Sequence, residues 1–96
     1  MLGVREQPAA QNAADAAFEE WTRAEEAWDA IKWALARDPT VGEPLTEGGH
    51  LRALTFEGAT AYDMPTIVVL YDFDTEFVTI HSASFSAART GQPGRA

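Results

Sequence analysis

Thr66-Ile67-Val68-Val69-Leu70-Tyr71-Asp72-Phe73-Asp74-Thr75-Glu76-Phe77-Val78-Thr79-Ile80-His81-Ser82 is the densest run of β-branched and aromatic residues in the chain. Such residues fit a pleated, half-buried surface. The run breaks once, at Asp74-Thr75, where a hairpin needs its turn. With those two as the turn residues, position i pairs with roughly 149 − i. Ile67, Val69, Tyr71 and Phe73 then share one face with Val78 and Ile80. That face is apolar and has to be covered. The other face sets Val68, Leu70 and Asp72 beside Phe77, Thr79 and His81 and is half polar. Asp-Thr is a weak type I′ pair, so a four-residue loop with the register slipped by one is the alternative.

The cover lies upstream. From Ala9 or Asn12 to Arg37 the pattern turns helical: Ala17, Trp21, Ala24, Trp28, Ile31 and Leu35 trace one stripe, with the acids mostly off it. Asn12 offers a cap for one long helix. Thr22-Arg23-Ala24-Glu25 has the spacing of a capping box that would start a second. Asp38-Pro39 ends the helix, because a residue before proline is pushed out of the helical region. Asp38–His50, with two prolines and three glycines, is a loop. Leu51–Glu57 alternates as a strand, and Gly58–Pro65 closes a longer hairpin. Residues 1–8 are a flexible arm or a short edge strand, and 86–96 a flexible tail. The expected fold is α+β. One domain over residues 9–85 packs an N-terminal helix or helical hairpin on a three- to four-stranded antiparallel sheet.

The 96 residues are 46% apolar, enough for one small core. Cysteine is absent, which removes disulfides and thiolate chemistry and fits a cytoplasmic protein. No stretch is long and apolar enough for a membrane, and none is expected as a partner. The net charge is −8. Fourteen of the acids lie between Asp15 and Glu76, and such a body repels phosphate backbones, which disfavours direct nucleic-acid binding.

Ala34-Leu35-Ala36-Arg37-Asp38-Pro39-Thr40-Val41-Gly42-Glu43-Pro44-Leu45 resembles the "aL..dP..G.pL" segment of the RelE/ParE toxin superfamily. Gly49-His50-Leu51-Arg52 resembles its strand start. Val68-Val69-Leu70-Tyr71-Asp72-Phe73-Asp74 resembles its "R-V-x-Y-R-x-D" strand, and Phe77-Val78-Thr79-Ile80-His81 its last core strand. The resemblance covers residues 24–84. It implies the toxin of a bacterial type II toxin–antitoxin pair, either an mRNA-cleaving ribonuclease or a gyrase poison, held by an antitoxin protein. The family's two central-strand arginines fall here on Val68 and Asp72, and the "G-H-R" segment after the last strand reads Ser82-Ala83-Ser84-Phe85.

Metal-free RNA cleavage needs a cation for the phosphorane, with a base and an acid. The candidate catalytic set is His81, Arg52 and Tyr71, with Asp72 one diagonal away to orient the imidazole. The plainer account of His81 is a strand histidine without a role. Turn carboxylates such as Asp72 and Asp74 ordinarily accept local backbone bonds. Two distant histidines among scattered acids make no metal site, and no cofactor is implied. Trp33 stands off the helical stripe and, with Asp72 and Phe77, is a candidate partner contact. Protein binding, to an antitoxin, to a cellular target or to a second copy as a homodimer, is thus favoured over catalysis. An oligomeric α+β binding module unrelated to toxins is a further alternative.

Overall fold

A computed structural model describes residues 1–88. The hairpin of β4 (Thr66–Phe73) and β5 (Phe77–Ser86) is the centre of a five-stranded sheet, completed by β1 (Gly3–Glu6), β2 (Glu43–Pro44) and β3 (Arg52–Phe56). The strand order is β1-β5-β4-β3-β2. Helices α1 (Pro8–Glu20) and α2 (Ala24–Arg37) pack together and cover one face, α1 lying over β5. The sheet is mixed rather than antiparallel, and has five strands rather than three or four. β1 runs parallel to β5, with Val4 beside Val78 and Glu6 beside Ile80, while the remaining pairs are antiparallel.

The hairpin loop has four residues, as in the alternative, but the register moves by two rather than by one. Phe73 pairs with Val78, and Asp74 N–H donates to Phe77 O at 2.9 Å. Asp74 Oδ1 accepts from the N–H groups of Glu76 and Phe77 at 2.7 and 2.8 Å, a local carboxylate cap that a two-residue turn would not have. The pairing is therefore displaced by two residues from the two-residue-turn register. Because side chains alternate with period two, a displacement of two leaves every face assignment near the turn intact. Ile67, Val69, Tyr71, Val78 and Ile80 are all buried beneath the helices.

Further along, Leu70 pairs with Ser82 while Tyr71 pairs with Ile80, so His81 is the extra residue of a β-bulge. Beyond it the inward positions of β5 change from even to odd numbers. Ala83 and Phe85 pack against the core, and the Phe85 ring lies 5.5 Å from that of Trp28.

Of the two alternatives, one helix or a helical hairpin, the chain forms the hairpin. Pro8 opens α1, its fixed φ being suited to the first turn, so the helix starts ahead of Asn12. Ala10, Ala14 and Ala17 bring α1 close to the sheet. α1 ends at Trp21 in extended backbone, although no glycine or proline stands there. A distant residue holds the joint: Asp63 Oδ2 accepts from Thr22 N–H at 2.7 Å, and Asp63 O accepts from Arg23 N–H. The capping box at Thr22 does not form, and Arg23 occupies the cap position with no side-chain capping bond. Trp28, Ile31 and Leu35 of α2 are fully buried, as the stripe requires. Residues 89–96, most of the expected tail, lie outside the described residues, and Ser86 still belongs to β5.

Candidate functional site

The sheet face away from the helices has no cover among the described residues, and it carries the titratable candidate. Asp72 stands opposite Thr79, and the bulge turns His81 toward it: His81 Nε2 lies 2.9 Å from Asp72 Oδ2, both side chains being partly exposed. A carboxylate on one ring nitrogen orients an imidazole and leaves the other nitrogen to act.

Arg5 lies on this same face, because β1 sets it beside Thr79. Its Nη2 donates to Thr79 Oγ1 at 3.4 Å, and its guanidinium carbon stands 4.2 Å from the centre of the Phe77 ring. Thr79 is nearly covered by this layer, at 8% exposure. The open face thus holds a cation, an imidazole–carboxylate pair and an aromatic ring. Its outer rows continue as Leu70 and Val68, with Ser82 and Ser84 opposite them.

The other two candidate catalytic residues sit on the opposite face. Arg52 pairs with Tyr71 on neighbouring strands, and both point toward the helices. Tyr71 is completely buried. Its hydroxyl donates to Pro39 O at 2.7 Å and accepts from Gly42 N–H at 2.9 Å. Burial pushes its pKa above the ordinary 10.0, against the Gly42 bond, which favours the phenolate. Arg52 is spent on main-chain carbonyls: Nε donates to Gly49 O at 2.7 Å, and Nη1 to Gly42 O at 2.8 Å and Thr40 O at 3.0 Å. Together the two residues pin the 39–49 connection to the sheet. His81, Arg52 and Tyr71 are therefore not brought together.

The partner-contact candidates divide in the same way. Asp72 and Phe77 share the open face. Trp33 is 57% exposed on α2, on the helical layer. On that layer half-buried Glu6 accepts from Trp28 Nε1 at 3.2 Å and from Lys32 Nζ at 3.1 Å.

Arg5 is not among the candidate site residues of the sequence; of the two alternatives for residues 1–8, a flexible arm or a short edge strand, it is the strand that brings Arg5 onto this face. Its signal is the alternation of Leu2, Val4 and Glu6 with Gly3 and Arg5, too short to separate a strand from a tail. The bulge also had a signal: the apolar phase shifts from Val78 and Ile80 to Ala83 and Phe85 across His81. Among the described residues no three of His, Cys, Asp and Glu come close enough to hold a metal ion, and no helix is long and apolar enough to cross a membrane. Set against known proteins, the chain matches no family model and no curated protein.

Proposed function

We propose that the chain is the toxin-like component of a two-protein toxin–antitoxin pair and that it acts by binding another protein rather than by cleaving RNA. The observation that carries the second half is the division of the candidate catalytic set. Arg52 Nε and Nη1 and the Tyr71 hydroxyl are bonded to main-chain groups of the 39–49 connection, on the far side of the sheet from His81. A phosphorane forming at His81 finds neither of them. The net charge of −8 also opposes docking on RNA and favours a basic protein surface. The first half rests on the resemblance of residues 24–84 to the RelE/ParE superfamily.

One observation favours a second reading, an endoribonuclease. Arg5 supplies a cation on the open face, on the strand beside the His81–Asp72 pair. Inducible expression in a bacterial host separates the two. Protein binding predicts growth arrest that survives in the Arg5→Ala, His81→Ala double variant. Loss of arrest in that variant, with cleaved mRNA in the parent, establishes the enzyme. Harmless expression, together with the absence of an adjacent gene for a DNA-binding antitoxin, removes the toxin assignment.

A further inference from the structure

β3 is paired along its whole inner side but only partly along its outer side. β2 meets it at Arg52 and Ala53 and goes no further, and among the described residues no strand lies on the outer side of Leu54, Thr55 and Phe56. Leu45 N–H donates to Leu51 O, so the outward main-chain groups of β3 fall at Leu51, Ala53 and, by period two, Thr55. Natural edges are blunted by lysine, proline, inward-pointing charge or a bulge. Pro44 serves that purpose at the β2 end, but Leu54-Thr55-Phe56 carries none of these devices.

The helix-side residues beside this edge are apolar. Ala30, Ile31 and Ala34 of α2 face Leu54 and Phe56 across a groove of about 220 Å³, which Val41 closes at one side. No charged residue lines it. Val41 is half exposed, and Trp33 is exposed elsewhere on α2. Charge appears at the ends: Glu43 lies opposite Ala53, and Glu57 follows Phe56.

We infer that this edge and groove take up an extended segment of a partner protein as an added strand, with apolar side chains at alternate positions and basic residues flanking them. Main-chain bonds to Thr55 supply affinity, and the groove selects the alternate side chains. The glutamates at the ends and the net charge of −8 fix the sign of the flanks. They also disfavour a second copy of this chain, which would set two acidic chains edge to edge. The inference rests on the protein-binding reading and names its surface and the chemistry of its partner.

The test uses three synthetic peptides of about eight residues, in which Val alternates with Thr between pairs of Lys, Ser or Glu. Affinity is measured by titration calorimetry and location by amide hydrogen exchange. The Lys-flanked peptide binds tightest, weakens as salt rises, and slows exchange at Thr55. Thr55→Pro and Ala30→Trp each weaken it by roughly fivefold to tenfold. Thr55→Pro keeps the β3–β4 ladder, because the lost N–H points outward; circular dichroism verifies the fold. Failure of all three peptides to bind, indifference to flank charge, or protection confined to the open face of β4 and β5 overturns the proposal. A chain that arrests growth but binds no peptide defeats the edge alone. One that binds the Lys-flanked peptide at the edge without arresting growth defeats the toxin assignment alone.

Discussion

His81 Nε2 lies 2.9 Å from Asp72 Oδ2 although the two residues are not opposite each other; Asp72 faces Thr79, and His81 is the residue that β5 has in excess. The pairing on both sides of His81 would be continuous without it. Removing His81 joins Ile80 opposite Tyr71 directly to Ser82 opposite Leu70, and every inward residue stays inward. Deletion of His81 is therefore expected to cost under about 1 kcal/mol. Deletion of Thr79 instead turns Ile80 out and His81 in, at a cost of about 2–5 kcal/mol. Urea unfolding of the two deletion variants checks both values.

Gly42 is tied to Tyr71 by more than its hydrogen bond. A Cβ there would stand 2.6 Å from Tyr71 Oη and 2.8 Å from Ala53 O, and the second atom is backbone that cannot swing aside. Gly42→Ala should destabilise by about 1–3 kcal/mol. Unfolding midpoints measured for the parent and the variant decide it.

Tyr71 makes the fold sensitive to alkali. Burial holds its pKa above 10.0, so the folded chain keeps a proton that the unfolded chain releases. Its stabilising contribution is complete below pH 10.0 and declines as pH rises toward the folded value. Tyr71→Phe abolishes that alkaline decline while costing about 1–3 kcal/mol at neutral pH, because Pro39 O and Gly42 N–H lose their partner. Denaturant titrations between pH 8 and 11 (about one unit either side of the ordinary phenol value) separate the two effects.

The acid limb has the opposite sign. Bonds from the Thr40 hydroxyl and N–H lower the pKa of Asp38, the Phe77 and Glu76 N–H groups lower that of Asp74, and the Thr22 N–H lowers that of Asp63. Each ordinarily titrates at 3.8, and each is lower when folded. Their stabilisation is complete above pH 3.8 and is lost as pH falls below it toward the folded values. Asp63→Asn should shallow that decline and loosen the α1–α2 joint, seen as faster amide exchange at Thr22 and Arg23.

What was legible in the chain was parity. The apolar set at Ile67, Val69, Tyr71, Val78 and Ile80 identified the buried face, and it survived a displacement of two residues because two is the strand period. The stripe through Trp28, Ile31 and Leu35 identified the cover. What was not legible depends on residues far apart in the chain. The helix break at Trp21, which the capping-box spacing at Thr22 allowed, is held by Asp63, 41 residues beyond Thr22 and outside any local pattern. The role of Arg52 as a clamp on three carbonyls depends on where the 39–49 connection returns to the sheet. Arg5 needed a parallel partner 74 residues away to become part of the open face.

That separation governs the order in which the molecule is assembled. β4 and β5 meet across a four-residue loop, and β3 joins them locally, whereas β1 must close a long circuit of chain before any of its bonds form. By loop-closure entropy it is expected to dock last and come away first, which would show as the fastest amide exchange in the sheet at residues 3–6. Glu6, which receives Trp28 and Lys32, and Arg5, which lies over Phe77, arrive in that same final step. The open face therefore gains its cation only when β1 has closed on the sheet, so whatever grips or frees that strand acts on both faces at once.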